Sequence, residues 1–332
     1  MIDIGANLLD PVFRGEYRGK QQHESDLDLV LARAWEAGVE RIIVTAGTLA
    51  EAREALAFAR SDDRLFCTVG VHPTRCLAFE AEGADPAAYL SELVTLAKEG
   101  KAAGSCVAVG EFGLDYDRLE FCPREVQRTY FEEQFAIAEQ TGLPLFLHNR
   151  NTGGDFVEMI TANRHRFGAG VVHSFDGSEA EASALVAAGL YIGLNGCSLK
   201  TEANLAVVRS IPAESIMIET DAPWCDVRRT HAGFEHVETT WETRKEKKFE
   251  RGLCVKNRNE PCHLQQVLEV IAGVKGIDVD AFAATVYANT MAVFFPAGGG
   301  AGEGERTGEG TGEGAEVGAE VGGGGDSKAA DA

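Results

Sequence analysis

Eight short apolar runs alternate with amphipathic stretches along most of the chain. The runs have the length of strands and are rich in valine, isoleucine and leucine, as parallel strands buried on both faces require. The intervening stretches repeat apolar residues every three or four positions, which predicts helices packed on a sheet. No G-x-G-x-x-G follows the first run, which disfavours a dinucleotide-binding open sheet. The predicted strands are 1–6, 40–46, 65–72, 106–111, 143–149, 169–174, 190–195 and 215–220.

This alternation predicts an α/β fold, a (β/α)8 TIM barrel that forms a single domain over residues 1–296. A doubly wound open sheet is the alternative. Residues 297–332 are acidic and rich in glycine, and they contain no aromatic residue. They cannot bury enough apolar surface to order themselves, so we expect a disordered tail.

Charge and cysteine usage limit the class of protein. The formal net charge of -21 argues against a protein that coats duplex nucleic acid by general electrostatics. No apolar run is long enough to span a membrane and no secretory leader precedes the first run, so we expect an intracellular protein, nuclear or cytoplasmic and not secreted. The eight cysteines should then be reduced, and because no two form a C-x-x-C pair, we expect no cysteine-rich zinc site.

Metal-binding side chains stand where four of the predicted strands end. Glu111, His148, His173 and Asp221 end the fourth, fifth, sixth and eighth runs. Functional residues of a barrel lie at the carboxyl ends of its strands, so these four should meet. Carboxylate and imidazole donors suit Mg²⁺, Mn²⁺ or Zn²⁺. Other strand ends carry Asn7, His72 and Asn195.

These residues sit in stretches that resemble the TatD-type deoxyribonucleases, a branch of the metal-dependent hydrolase superfamily. Each stretch is weakly specific, but seven in the right order over residues 3–261 are very specific. The segment 10–19 also resembles the eukaryotic members of that family. The stretches are Asp3-Ile4-Gly5-Ala6-Asn7-Leu8, Gly70-Val71-His72-Pro73, Gly110-Glu111-Phe112-Gly113-Leu114-Asp115-Tyr116, Leu147-His148-Asn149-Arg150, Val172-His173-Ser174-Phe175, Glu219-Thr220-Asp221-Ala222-Pro223-Trp224 and Asn257-Arg258-Asn259-Glu260-Pro261.

The resemblance implies a TIM barrel that hydrolyses DNA phosphodiesters with a divalent metal. It also implies metal ligation by the four strand-end residues, with Glu111 able to bridge two ions. Many superfamily members open with His-x-His on the first strand, whereas here residues 3–7 contain no histidine. We therefore expect one or two ions per chain, Mg²⁺ before Mn²⁺ or Zn²⁺, held partly by substrate phosphate and water.

Further residues are candidates for substrate contact. Arg150 follows His148 by two and suits a bidentate grip on phosphate, with His72 beside it. The loop after the eighth strand, 225–262, has nine basic against seven acidic residues and three interspersed aromatic residues, a combination that holds single-stranded nucleic acid. The remaining candidates for substrate binding are Asn7, Arg14, Arg18, Asn195 and Arg258. Glu260 is a candidate either for orienting a metal ligand by a hydrogen bond, without binding the metal itself, or for pairing with an arginine of the loop.

The sequence thus predicts a divalent-metal-dependent deoxyribonuclease acting on single-stranded DNA, with 3′-5′ exonuclease-like action at DNA ends. Glu111, Asp221, His72 and Arg150 are the predicted catalytic residues, with Asp221 accepting a proton from the attacking water. Two alternatives remain open: amidohydrolase or lactonase chemistry on a small molecule, and a non-catalytic barrel that binds nucleic acid. The sequence does not decide between DNA and RNA, nor the oligomeric state.

Overall fold

Eight parallel strands form one sheet in chain order in the computed structural model, which describes residues 1–296. The sheet closes at its carboxyl edge, where the Asp221 amide donates to Gly5 O at 2.8 Å and the Asn7 amide to Ala222 O at 2.7 Å. The predicted TIM barrel is therefore confirmed. The strands are β1 (Ile2–Ala6), β2 (Arg41–Val44), β3 (Leu65–Val69), β4 (Cys106–Asp115), β5 (Leu145–Arg150), β6 (Gly170–Val172), β7 (Tyr191–Leu194) and β8 (Ile216–Ile218).

Helices cover the outside of the sheet. Several begin at a side chain that accepts a hydrogen bond from the first turn, as Thr48, Asp85 and Ser178 do, which satisfies amides that the helix itself leaves unpaired. The helices are α1 (Leu27–Glu36), α2 (Leu49–Ala59), α3 (Pro86–Ala102), α4 (Arg124–Thr141), α5 (Asp155–Asn163), α6 (Glu179–Ala187), α7 (Glu202–Ser210), α8 (Leu264–Lys275) and α9 (Val279–Phe294).

Two apolar clusters explain why the polar residues collect at one end of the barrel. The larger cluster lies between the sheet and the helices. The smaller one joins residues from the first part of the strands, including Ile4, Phe146 and Met217, to Phe294 at the end of α9. Each large side chain buried in this way contributes about 1.5–3 kcal/mol. The interior is thus filled from the amino ends of the strands, and the carboxyl ends are left for polar groups.

Two long loops lie on the carboxyl side. The β1–α1 loop contains an antiparallel pair of two-residue strands, Glu16–Tyr17 and Lys20–Gln21, and the β8–α8 loop contains a parallel pair, Thr243–Arg244 and Cys254–Val255. Residues 1–296 belong to one compact unit. The expected disordered tail, 297–332, lies outside the described residues. Within the described range, no helix has both the length and the apolarity needed to cross a membrane.

Candidate metal centre and active site

Every strand of the barrel carries a polar side chain at or just beyond its carboxyl end. This is the face at which barrel enzymes place their active sites. The residues are Asn7 after β1, Thr45 after β2, His72 after β3, Glu111 and Asp115 in β4, His148 in β5, His173 after β6, Asn195 after β7, and Glu219 and Asp221 after β8.

Glu111, His148 and His173 form the tightest group at this rim. Glu111 Oε1 lies 2.8 Å from His148 Nδ1 and 2.7 Å from His173 Nε2, and the two nitrogens are 3.2 Å apart. All three side chains are buried. A triangle of this size allows one cation to contact all three atoms at about 2.1 Å, the distance of a metal–nitrogen or metal–oxygen bond.

A carboxylate stands behind each of the two histidines. His148 Nε2 lies 3.3 Å from Asp115 Oδ2, and His173 Nδ1 lies 3.4 Å from Glu219 Oε1. Such a carboxylate fixes the ring orientation and draws the proton to the outer nitrogen, which leaves the inner nitrogen free to bind a metal. The sequence analysis gave no role to Asp115 or Glu219. The available signal was that both lie in stretches that carry predicted ligands.

The hydrogen bonding of this group is incomplete. Asp115 Oδ2, His148 Nε2, His173 Nδ1 and Glu219 Oε2 are buried and have no hydrogen-bond partner among the described residues. These atoms belong to the two histidine–carboxylate pairs, at 3.3 and 3.4 Å, and so they lie on the outer side of the rings, away from the triangle. The donor set, one carboxylate and two imidazoles, fits a divalent cation.

The neighbouring histidines favour the ionised form of the Glu111 carboxyl group. Burial acts to raise the pKa of Glu111, but the charge of His173 and the hydrogen bonds from His148 and His173 hold it well below its usual range. Burial likewise opposes the charge on His173, yet Glu111 and Glu219 raise the pKa of that histidine well above its usual value. Cation binding is therefore coupled to the loss of a proton from His173, because only the unprotonated nitrogen can be a ligand.

His72 adjoins the triangle as a neutral side chain. Its Nε2 lies 3.4 Å from Glu111 Oε1, and its ring meets that of His148 edge-on at 4.7 Å. The Thr74 amide donates to His72 Nδ1 at 3.1 Å, which leaves the proton on Nε2. Burial lowers the pKa of His72 to about 3. His72 can thus donate a hydrogen bond toward the site, but it does not bring a positive charge.

Asp221 lies next to the triangle and does not join it. None of the groups of donor atoms within 4.8 Å of one another in the described part of the chain includes Asp221. Its Oδ1 accepts a hydrogen bond from Asn7 Nδ2 at 2.9 Å, and Asn7 Oδ1 accepts one from Thr45 Oγ1 at 2.6 Å. Burial raises the pKa of Asp221 to about 7, against the opposing effect of His173. A carboxyl group with that pKa can take up or release a proton near neutral pH.

Arg150 faces a cleft beside the triangle. The cleft has a volume of about 750 Å³, and its lining includes Asp117, Asp176 and Glu181 as well as Arg150. Burial acts to lower the pKa of Arg150, but Asp176 and Asp115 raise it. Its guanidinium makes no hydrogen bond or ion pair with any residue between 1 and 296, so all of its donors are free for an anionic group.

Two of the predicted substrate-binding residues are buried among other side chains. Asn195 is fully buried and donates to Ser174 Oγ at 2.9 Å and to Glu219 Oε1 at 3.1 Å. Arg258 is 3% exposed and pairs with Asp26 at 2.6 Å. The structure therefore gives Asn195 and Arg258 no exposed group with which to contact a substrate.

Glu260 belongs to the same buried network as Arg258. Its Oε1 accepts from Arg258 Nη2 at 2.8 Å and its Oε2 from Arg33 Nη2 at 2.7 Å. Of the two roles considered for Glu260, the structure gives it the pairing with arginines. It contacts none of the three residues of the triangle.

The two arginines of the β1–α1 loop are exposed. Arg14 pairs with Glu54, in the middle of α2. Arg18 adopts a left-handed backbone conformation with φ 53° and is exposed. Neither is within hydrogen-bond distance of the triangle in the described structure.

The aromatic residues of the β8–α8 loop are mostly engaged in internal contacts. Phe249 stacks on His23 at 4.2 Å, and Trp241 meets His263 at 4.9 Å. Trp224 differs, since it is 55% exposed and follows Asp221 by three residues. The exposed aromatic surface next to the site therefore comes from Trp224 rather than from the three aromatic residues singled out further along the loop.

Known proteins are similar to this chain in sequence and in fold. The family described as TatD related DNase matches residues 2–295. The deoxyribonuclease Tat-D of Schizosaccharomyces pombe is 44% identical, over 87% of this chain and 94% of its own length. The 3'-5' ssDNA/RNA exonuclease TatD of Shigella flexneri is 32% identical, over 89% of this chain and 98% of its own. The crystal structure of a TatD-family hydrolase from Entamoeba histolytica superposes with a TM-score of 0.83 at 36% identity, covering 89% and 98% of the two chains.

Proposed function

This chain belongs to the TatD-related DNase family, and we propose that it is a divalent-metal-dependent nuclease that removes nucleotides from the 3′ ends of single-stranded DNA. Family membership favours nuclease activity over amidohydrolase or lactonase activity and over a non-catalytic barrel. The 3′ polarity and the preference for single strands go further, and they rest on the site described above together with the printed function of the bacterial relative.

The observation that carries the proposal is the triangle of Glu111 Oε1, His148 Nδ1 and His173 Nε2 with its backing carboxylates. We propose these three residues as ligands of one ion, with Asp221 as a further ligand when substrate and ion are bound. A bound divalent ion would polarise the scissile phosphate and supply a nucleophile at neutral pH. We predicted Mg²⁺ first, whereas the two imidazole donors favour Mn²⁺ or Zn²⁺, so all three belong in the assay.

The remaining residues of the site accept a proton from the attacking water or bind the phosphate group. Asp221 accepts the proton from the attacking water, because its pKa of about 7 allows it to exchange protons at neutral pH. Asn7 holds Asp221 in place through the 2.9 Å hydrogen bond. Arg150 binds the non-bridging oxygens of the phosphate with its free guanidinium. His72, which is neutral, donates a hydrogen bond to the same group.

Substrate selection follows from charge and shape. The strongly negative chain, -21 overall, repels a long rigid duplex, while Arg150 provides a local positive charge at the site. Trp224 offers a face on which an unpaired base can stack. Both features favour a flexible strand end over a duplex interior. Because the relative from Shigella flexneri is named for action on both ssDNA and RNA, single-stranded RNA is tested beside DNA.

The test uses oligonucleotides of DNA and RNA, single- and double-stranded, labelled at either end and incubated with Mg²⁺, Mn²⁺, Zn²⁺ or a chelator. We expect a ladder of shortened 5′-labelled single strands with metal and none with chelator. Glu111→Gln should abolish it, because the change removes the negative charge of the carboxylate that binds the ion between the two histidines. Glu214→Gln is the matched control: Glu214 is exposed at the opposite end of β8 and should leave activity unchanged. Full activity of Glu111→Gln or activity in chelator would exclude the proposal.

We also propose an intracellular place of action, in the nucleus or the cytoplasm. None of the eight cysteines, all of which lie within residues 1–296, forms a disulfide, which supports a reducing compartment. Fractionation of cells that express the tagged full chain would test this, and recovery from the medium would contradict it.

A further inference from the structure

Cys254, Cys262 and His263 form a second group of potential metal ligands that shares no residue with the Glu111 triangle. Their donor atoms all lie within 4.8 Å of one another. Cys254 lies near the end of the β8–α8 loop, and the other two residues begin the turn that leads into α8. Both cysteines are at most 1% exposed. From sequence we expected no cysteine-rich zinc site because no C-x-x-C pair exists, but folding brings this separated pair together.

The guanidinium of Arg33 interacts with both cysteines. Arg33 Nη1 is buried without a hydrogen-bond partner in the described part of the chain. Although burial opposes the charge of Arg33, its pKa is raised by Glu260 and also by Cys254 and Cys262. A cation near a cysteine favours the ionised, metal-binding form of the thiol.

The imidazole is also held for ligation. His263 Nδ1 lies 2.9 Å from Asn259 Oδ1, an oxygen that can only accept a hydrogen bond. The Glu260 amide also donates to His263 Nδ1, at 3.3 Å, so both contacts hold Nδ1 within the turn and Nε2 is the ring nitrogen left to bind a metal. Trp241 packs against the ring at 4.9 Å and restrains its orientation.

Solvent comes close to the group. A cleft of about 480 Å³ is lined by Arg33, Trp241, Thr239 and Gly252, among others. Two of these residues, Arg33 and Trp241, adjoin the cysteines and the histidine directly. The cleft thus brings solvent to residues that contact the proposed ligands, although the three ligands do not line it.

We propose that Cys254, Cys262 and His263 bind a structural Zn²⁺ ion. Tetrahedral zinc holds sulfur and nitrogen donors about 3.5–3.8 Å apart, within the observed span. Glu260 Oε2, 3.7 Å from Cys254 Sγ, is already held by Arg33, so three protein ligands are assigned. Two thiolates and one imidazole select zinc over magnesium or calcium.

The ion fastens the end of the β8–α8 loop to α8 and thereby supports the catalytic rim. The support runs through Asn259, whose side chain donates to Thr220 O at 2.8 Å and whose amide donates to Pro223 O at 3.0 Å. Thr220 and Pro223 flank Asp221 at one and two residues' distance. This inference does not depend on the proposed nuclease activity, because it concerns a separate set of ligands.

The first experiment replaces zinc by Co²⁺ in the full chain under reducing conditions and records the thiolate-to-cobalt charge-transfer absorption. The triangle contains no sulfur, so that absorption reports on the new site alone. We expect Cys254→Ser and Cys262→Ser to lose it. Cys76→Ser, a buried cysteine outside the group, and Cys225→Ser, whose sulfur lies 3.3 Å from Asp221 Oδ2, should both retain it. Absence of the absorption in the wild type, or its loss in Cys225→Ser, would overturn the proposal.

A second experiment uses Glu111→Gln, which weakens zinc binding at the triangle and leaves the second group intact. The purified variant should contain about one zinc that slow dialysis against a strong chelator removes. Its removal should lower the melting temperature, and Zn²⁺ but not Mg²⁺ should restore it. A chain that lacks zinc, has a Cys254–Cys262 disulfide by mass spectrometry and takes up no zinc after reduction would instead show that the pair is a redox site, and the proposal would be wrong.

Discussion

Glu219→Gln tests whether the carboxylates behind the histidines set the metal affinity of the site. Glu219 is fully buried, and its Oε1 accepts from the Ser174 amide at 2.5 Å and from Asn195 Nδ2 at 3.1 Å while facing His173 Nδ1 at 3.4 Å. The amide oxygen of glutamine can keep all three of these positions. The change removes only the negative charge, so its effect on metal affinity measures the contribution of that charge.

The size of the effect follows from the two kinds of hydrogen bond. A bond to a charged group contributes about 1.5–3 kcal/mol and a neutral one about 0.5–1.5 kcal/mol, so the loss is about 1–1.5 kcal/mol. Since about 1.4 kcal/mol corresponds to a factor of ten, the metal concentration for half-maximal activity should rise about tenfold. The new amide nitrogen takes the place of Oε2, which has no partner. An unpaired buried N–H costs a further 1–3 kcal/mol or so of folding stability.

The assay is a titration of nuclease activity with Mn²⁺ on a 5′-labelled single strand, together with urea unfolding in chelator. At saturating metal the rate should return close to that of the wild type, because Glu219 touches no reacting group. Asp115→Asn, the equivalent change behind His148, should shift the midpoint similarly. Glu214→Gln again serves as the control. A midpoint within twofold of the wild type, or a rate that no metal concentration restores, would refute this account of Glu219.

Three further perturbations test other parts of the structure. Arg258→Met removes one of the two arginines that pair with the buried Asp26 and Glu260, Arg33 being the other, and should cost about 3–5 kcal/mol in urea unfolding. Arg251→Met, which breaks exposed pairs, should cost less than about 1 kcal/mol, and equal losses in the two variants would contradict the network. Burial raises the pKa of Asp3 from 3.8 to about 7, so between these pH values the native state keeps a proton that the unfolded state has released. The wild type should therefore lose about 4 kcal/mol of stability as the pH rises from 3.8 to about 7. Asp3→Asn should lack this loss, and parallel stability–pH curves for the two proteins would refute it. Trp224→Ala should raise KM for single-stranded DNA about 5- to 150-fold, from about 1–3 kcal/mol of stacking, without changing kcat, while Trp224→Phe should restore most of the affinity; an unchanged KM in the alanine variant would exclude stacking.

The strand ends were predictable from sequence because buried parallel strands are continuous apolar runs, and a carboxylate or histidine that ends such a run stands out. The length of β4 was not. The predicted fourth strand ended at Glu111, which is wrong because β4 continues to Asp115. Gly113 has φ 149°, and a Cβ there would lie 1.9 Å from His148 O. The glycine is present because β5 approaches closely, not because the strand ends, and so Asp115 can reach His148.

The roles of Arg258 and Asn195 depend on residues far away in the sequence. Arg258 pairs with Asp26, 232 positions away, and no local pattern distinguishes an arginine buried by such a pair from one exposed to substrate. Asn195 resembles a strand-end ligand until the fold places Glu219 beside it. The same limit applies to Cys254 and Cys262, whose spacing in sequence conceals their proximity. Contacts of this kind are set by tertiary packing, which sequence periodicity does not encode.

Backbone strain in this barrel is concentrated at the catalytic rim. Every non-glycine residue with positive φ among residues 1–296 lies in a loop after a strand, and Ser174 and Asp221 are two of the six. Each such conformation costs roughly 1–3 kcal/mol unless its surroundings fix it. Here the fixing groups are identifiable: the Ser174 amide donates to Glu219 and the Asp221 amide to Gly5 O. Glu219 therefore orients His173 and also holds the strained turn that follows it, so the residue that sets the affinity of the site also keeps the rim in its folded shape.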